Sequence, residues 1–275
     1  MMTKAGKRLG VLTTIVALVV AGFWLYPFYL MVVNALKSRQ EIFTNTLGLP
    51  SEPMWSNFAV AYTQMDFTRS FFNSLGITTV SVLVLVVFAS TAAYALSRNN
   101  SKLSNVVYTI FAVAMLIPFQ SIMIPLVSIF GRANMLNHTG LVFMYLGLGS
   151  SMAIFLYFGA LRAIPKALDE AATIDGCNPL QVFIYIIFPL LKPTTVTVVV
   201  LNGIWFWNDF LLPSLVIHRP DQFTIPLNMF FFFGQFTRQW DLALAALIIA
   251  IIPVIVLYMF LQRYIIKGVS DGAVK

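Results

Sequence analysis

The chain has 275 residues, of which 59% are hydrophobic and only 10% charged, with a formal net charge of +7. Soluble domains carry about 25% charged residues, so this deficit excludes an ordinary soluble domain and points to a membrane protein. The single cysteine, Cys177, excludes an intramolecular disulfide and any multi-cysteine metal site, and reads as a small packing residue.

A helix needs roughly 20 apolar residues to cross the hydrocarbon core. Six such spans are predicted in chain order: Leu9–Val33, Phe71–Leu96, Leu103–Phe130, Thr139–Leu161, Thr194–Ile217 and Leu242–Leu261. The first follows a basic start, but its 25 residues exceed the h-region of a signal peptide, and no small-residue cleavage site follows. A retained first helix is therefore expected. The loop Lys37–Ser70 is polar and aromatic, holds Pro50, Pro53 and Trp55, and reads as an ordered cap. Pro118 and Pro125 should bend the third span. Leu180–Leu191 and Phe223–Phe236 are too short to cross and read as interfacial or buried pieces. The short alternating segments of a transmembrane barrel are missing. The expected fold is all-α and polytopic, one membrane domain over 1–275 with six transmembrane helices and a charged loop at 162–193.

With six spans both ends lie on one side. That side holds Lys4, Lys7, Arg8, Arg98, Lys102, Arg162, Lys166, Lys192, Arg263, Lys267 and Lys275, and the other holds Lys37, Arg39, Arg69, Arg132, Arg219 and Arg238. Eleven against six puts both termini and the 162–193 loop in the cytoplasm. The basic charge then anchors and orients the chain, and no nucleic-acid partner is needed to explain it.

Chemistry inside the membrane is sparse. Asp209 is the one ionisable residue well within a predicted span, and His138 and His218 fall in outer loops. An ion-coupled carrier usually shows intramembrane acids, bases or broken half-helices. An intramembrane enzyme needs a nucleophile with its base, or metal ligands. No phosphate loop is present either, since Gly6-Lys7-Arg8 lacks both the leading glycine and the hydroxyl residue. Energy for any work must come from another subunit.

Three of the ten carboxylates, Asp169, Glu170 and Asp175, crowd into "PKALDEAATIDGCNP", Pro165–Pro179. Pro165 suits the first turn of a helix, Lys166–Ile174 holds good helix formers, and Asp175-Gly176 supplies a stop. Asn178, Pro179 and Gln181 then restart a helix as N-cap, N1 and capping-box partner. Ala167, Ala171 and Ala172 make one side small enough for another protein's groove, with Glu170 free for a basic partner.

The stretch "EAATIDGCNPLQVFIYIIFP" resembles the EAA signature of ATP-binding-cassette importer permeases, at Glu170, Ala171, Ala172, Gly176, Ile186 and Pro189, with Phe188 where Leu is usual. "WNDFLLPSLVI", "NSLGITT", "IPFQSIMIPL" and the tail "GVSDGAVK" resemble the carbohydrate-uptake branch, in particular the second, six-helix permease subunit of maltose-type and multiple-sugar systems. The resemblance implies the type I importer permease fold and ATP-driven import of a sugar or oligosaccharide by alternating access. It also implies a heterodimer with a second permease, two copies of a cytoplasmic ATPase that bind ATP and Mg, and an extracytoplasmic solute-binding protein, in a bacterial or archaeal cytoplasmic membrane. The chain itself would be no enzyme and carry no cofactor. Asp169, Glu170, Ala171, Ala172, Asp175, Gly176 and Pro189 are the expected ATPase-coupling residues. A permease for another solute, such as a polyamine or phosphonate, is the alternative within the superfamily.

Polar residues in spans face a partner or a cavity. Asn73, Gln120, Asn202, Asn208 and Asp209 are the candidates for the substrate path, with interhelical hydrogen bonding the other reading of each. Trp205 and Trp207 fit either stacking on sugar rings or the interfacial aromatic belt.

Overall fold

A computed structural model describes residues 4–99, 101–233 and 239–273. Arg238, Lys275 and the end of the Phe223–Phe236 run lie outside the described residues, as do the side chains of Lys4, Lys7, Arg8, Arg263 and Lys267. Among the described residues there are helices and turns and no strand. The helices are α1 (Lys4–Ala35), α2 (Arg39–Thr44), α3 (Ser56–Gln64), α4 (Phe67–Arg98), α5 (Lys102–Ala114), α6 (Phe119–Arg132) and α7 (His138–Ala163). They continue as α8 (Ala167–Ile174), α9 (Pro179–Val182), α10 (Phe188–Leu190), α11 (Lys192–Asn208), α12 (Leu211–Val216), α13 (Ile225–Met229) and α14 (Trp240–Ala273).

Among the described residues, three uninterrupted helices are long and apolar enough to cross a membrane: Thr13–Ala35, Phe67–Arg98 and His138–Ala163. Two bent pairs bring the number to five if each is one span. In the region of the predicted third span, α5 and α6 meet at 107°. Pro118 stands at that corner in extended conformation, φ −67° and ψ 137°, and has no N–H to continue the α5 ladder. Pro125, by contrast, lies within α6.

The predicted fifth span, Thr194–Ile217, is not one continuous helix. α11 stops at Asn208, and α12 begins at Leu211. The Asp209 carboxylate accepts the Leu211 N–H at 3.1 Å, giving that amide a side-chain partner in place of a helical carbonyl. The short piece predicted at Leu180–Leu191 is α9 and α10 joined by a π-helical turn, Phe183–Ile187, and it meets α11 at 75°. Pro189 cannot donate to the Tyr185 carbonyl four residues back, and a widened turn accommodates that loss.

The residues gather into two compact parts, Met1–Phe67 with Met229–Val254, and Thr68–Asn228 with Ile255–Lys275. In the first, the expected cap after α1 is ordered by buried polar groups. Asn57 Nδ2 donates to the Ala35 and Lys37 carbonyls, each at 2.9 Å. The fully buried Lys37 ammonium donates to Asn34 Oδ1 at 3.2 Å and to the Asn45 carbonyl. Placing a cation beside the carbonyl end of α1 suits the helix dipole.

The second part centres on α7, against which α5 and α11 pack most closely, and together with α4 they bury Leu85, Leu141, Tyr145, Ile154, Tyr157, Val198 and Phe206. α4 and α7 run in the same direction. At their starts, Asn73 Nδ2 donates to the Asp221 and Phe223 carbonyls at 3.0 Å, and His138 Nε2 lies 2.7 Å from the Gln222 carbonyl. At their ends, Arg98 reaches the Leu161 and Ile164 carbonyls. The 32-residue α4 spans about 48 Å at 1.5 Å per residue. The 220–225 loop and α8 are thus held at opposite ends of this part.

Candidate functional site

Two places in the second part carry chemistry: the charged helix α8 and a cavity at the α5–α6 corner.

α8 forms as its sequence dictates. Pro165 precedes it, and Asp169 and Glu170 lie in its first turn, where negative charge favours a helix N-terminus. Its end is a Schellman closure: the Gly176 N–H donates to the Thr173 carbonyl at 3.1 Å, and the Cys177 N–H to the Ala172 carbonyl at 3.0 Å. Gly176 takes φ +91°, a conformation that glycine reaches without strain. The chain restarts at Asn178 with both halves of the capping box present: Gln181 N–H to Asn178 Oδ1 at 3.0 Å, and Asn178 N–H to Gln181 Oε1 at 2.8 Å.

The coupling candidates then divide by direction. Glu170, Ala171, Asp175 and Gly176 are exposed, and Ile174 beside them is 86% exposed, with Leu168 a second exposed apolar residue on the same helix. Ala172 is buried in the core that includes Val182 and Phe183. Pro189 is exposed at the turn into α11. Asp169 points inward. Its carboxylate meets the Arg98 guanidinium at 2.9 Å (Oδ2 to Nη2) and 3.2 Å (Oδ1 to Nε), and it accepts the Tyr94 hydroxyl at 2.7 Å.

At the other place, the 107° corner opens a cavity of about 360 Å³ between α5, α6, α7 and α11. Its lining is mostly apolar, with Ser151, Asn202 and the Trp205 indole as its polar or amphipathic members. Asn202 is 2% exposed and uses its Nδ2 on the Val198 carbonyl of its own helix at 2.9 Å. Gly147 and Gly149 keep α7 slim along this wall.

The five path candidates do not converge. Asn202 alone of them lines this cavity. Asn73 ties the start of α4 to the 221–223 backbone. Asn208 is exposed and donates to the Ile204 carbonyl at 2.8 Å. Asp209 accepts the hydroxyl of buried Tyr145 at 2.9 Å besides the Leu211 N–H. Gln120 is exposed in the first turn of α6. Trp207 packs edge-on against Phe71 at 5.9 Å, whereas Trp205 stays 41% exposed at the cavity wall. Among the described residues, no group of three or more His, Cys, Asp or Glu side chains gathers to hold a metal.

The sequence pattern of the binding-protein-dependent transport system inner membrane component family matches residues 85–271. The chain belongs to that family. Similar members include the probable starch degradation products transport system permease protein AmyC of Thermoanaerobacterium thermosulfurigenes, 50% identical over 96% of both chains. The multiple sugar-binding transport system permease protein MsmG of Streptococcus mutans is 35% identical over 91% of this chain and 92% of its own. The melibiose/raffinose/stachyose import permease protein MelC of Bacillus subtilis is 34% identical over 98% of both. In three dimensions the chain resembles a subunit of a bacterial ABC transporter involved in the import of the acidic polysaccharide alginate, with a TM-score of 0.79 over 96% of this chain and 99% of that one. At 22% identity that likeness shows the fold alone, the importer permease fold.

Family membership makes the chain a membrane component of a transport system. Sequence reasoning missed three residues: Arg98 and Tyr94, which hold α8 through Asp169, and Tyr145, which holds Asp209 at the break between α11 and α12. In the sequence Arg98 reads only as an orienting charge. Its partner lies 71 residues away, and Tyr145 lies 64 residues from Asp209. No local spacing signals such pairs.

Proposed function

We propose that this chain is a permease subunit of an ATP-driven importer that passes a sugar or oligosaccharide across a bacterial or archaeal cytoplasmic membrane. The observation that carries the reading is end-to-end identity of 50% with a permease named for starch degradation products, joined by relatives named for other oligosaccharides. The partners in this reading are a second permease, two cytoplasmic ATPase copies that hold ATP and Mg, and an external solute-binding protein. Both termini and α8 lie in the cytoplasm, in keeping with the excess of Lys and Arg on that side.

In this assignment α8 is the coupling helix. Glu170, Ala171 and Asp175 belong to the face turned to the ATPase, with Ile174 supplying apolar area. Glu170 pairs with a basic ATPase residue, and Ala171 allows close approach. Ala172 and Asp169 face the chain's own helices and fix α8 as a base. Gly176 sets the turn, and Pro189 the corner into α11. The sugar path passes the α5–α6 corner, where Asn202 offers its Oδ1 and Trp205 a ring face. Small-molecule sites in general pair an apolar, often aromatic lining with a few placed polar groups. Asn73, Asn208 and Asp209 act on the shape of the helices around that path.

The test is reconstitution of the whole complex in proteoliposomes with labelled maltooligosaccharides. Uptake should need both ATP and the loaded binding protein. Asn202→Ala should change KM or sugar preference at unchanged assembly. Uptake that persists without ATP and collapses with an ion gradient would overturn the reading in favour of an ion-coupled carrier.

A further inference from the structure

The Arg98 guanidinium touches three helix ends at once. It is carried by the last residue of α4. Its Nη1 donates to the Leu161 and Ile164 carbonyls, at 3.3 and 3.2 Å, where α7 ends. Its Nε and Nη2 grip Asp169 in the first turn of α8. One turn earlier on α4, Tyr94 donates to the same carboxylate and packs its ring 5.2 Å from Phe183, in the π turn after α9. The Lys166 ammonium closes the group by donating to the Arg98 carbonyl at 3.4 Å.

This is more than an orienting charge requires. Membrane orientation asks only for a cation near the span end, and a solvated lysine supplies it. Here the charged pair is largely shielded, with side chains 16% and 17% exposed. Two guanidinium nitrogens lie against one carboxylate, Nε as a hydrogen-bond donor and Nη2 in ionic contact, a planar arrangement that lysine's single ammonium does not reproduce. The covalent links of α8 are short segments to α7 and α9. Its first-turn side-chain tie to α4 runs through Asp169, across 71 residues of sequence.

We propose that Arg98 and Asp169 are positioning residues that carry displacement of α8 into α4 and α7 together. α4 and α7 flank the core that includes Leu85 and Tyr145, and α7 forms a wall of the α5–α6 cavity. A rigid joint at the base of both helices gears opening of that cavity to movement of α8. Without the joint, α8 still docks through its outward face, but its movement is taken up by the short segments on either side. The inference rests on α8 being the docking helix, and the experiment separates the two.

The measurement is sugar molecules imported per ATP hydrolysed, in proteoliposomes carrying the full complex. Arg98→Gln and Asp169→Asn should each lower that ratio about tenfold, the size of an ordinary coupling between sites, while the ATPase co-purifies at wild-type stoichiometry. The double variant should be no worse than either single, because both remove one joint. Arg98→Lys keeps the orienting charge and loses the fork, so it should lower the ratio and leave membrane orientation unchanged. If Arg98→Gln does not accumulate, Tyr94→Phe decides, since it removes one hydroxyl from the same joint and should lower the ratio several-fold. A wild-type ratio in Tyr94→Phe and Arg98→Lys, or additive losses in the double variant, overturns the joint. Glu170→Lys reports on docking alone. If it strips the ATPase while the Arg98 and Tyr94 variants stay fully coupled, the joint is wrong and docking stands. If Glu170→Lys also keeps the ATPase and full uptake, the docking assignment itself is wrong.

Discussion

Replacing Gly149 with alanine tests how tightly the central helices close. A Cβ built at this position would stand 2.9 Å from Leu85 Cδ2, 3.1 Å from Asn202 Oδ1 and 3.3 Å from Phe206 Cζ. Carbon atoms in good contact sit about 3.5–4.0 Å apart, so the Leu85 and Phe206 carbons must each retreat by a few tenths of an ångström or more. Leu85 has no exposed surface, and Phe206 is stacked on Tyr145 at 4.3 Å, so neither has free room. Overpacking of this kind costs about 1–3 kcal/mol. The gain in helix propensity from glycine to alanine offsets up to about 1 kcal/mol of it. The expected net loss is about 1 kcal/mol, which lowers the melting temperature by about 2–4 °C in a chain of this size. The assay is thermal unfolding of the purified complex, run as a double-mutant cycle with Leu85→Ala. Removing Leu85 Cδ2 takes away the closest clash, so in that background Gly149→Ala should be neutral or stabilising. If the two substitutions add within about 0.5 kcal/mol, α4 and α7 do not meet at Gly149 and the packing reasoning fails.

Gly176→Ala should cost roughly 1–2 kcal/mol from backbone strain alone, since an added Cβ there meets nothing within 4 Å; uptake should fall, and Gly176→Asn should restore most of it. Tyr145→Phe removes a hydrogen bond to the Asp209 carboxylate and should cost about 1.5–3 kcal/mol in thermal unfolding, with little further loss when Asp209→Asn is added. Asn73→Ala should lower the yield of assembled complex while uptake per complex stays at the wild-type level; a changed KM at normal yield would return Asn73 to the path. Glu41 sits below the ordinary carboxylate pKa of 4.5, because the Ser51 N–H and then the Ser51 hydroxyl donate to it, with the Lys37 charge adding to the effect. Its stabilising contribution is present above 4.5 and lost as pH falls through the lowered value, so proteolysis at 45–52 should accelerate with acidification in the native chain and lose that pH step in Glu41→Gln.

Local grammar was legible in the sequence. The proline start of α8, its glycine stop and the capping box after Asn178 follow from residues a few positions apart, and each appears with the expected hydrogen bonds. Long apolar runs located the helices that became α4 and α7, because composition alone decides such segments. The breaks were less legible. Pro118 marked the third-span corner, but nothing local separated it from Pro125, which α6 tolerates. The interruption at Asp209 depends on a carboxylate turning back to the amide at Leu211, and the aspartate alone reads equally as a path residue. The inward turn of Asp169 needed Arg98 and Tyr94, which lie 71 and 75 residues earlier in the chain.

The ties at the start of α4 set an order of assembly during synthesis. Asn73 waits for the carbonyls of Asp221 and Phe223, and Ser74 for the Ile225 N–H. Those partners are made 148 to 151 residues later. At about 5–20 residues per second, the nascent chain carries these groups for roughly 7–30 s before the atoms they bind exist. Over that interval the Asn73 amide must be satisfied by water or another temporary partner. A late contact therefore stands beside one of the first long apolar helices to be made, and a ribosome stalled before residue 221 leaves Asn73 without either of its carbonyl partners.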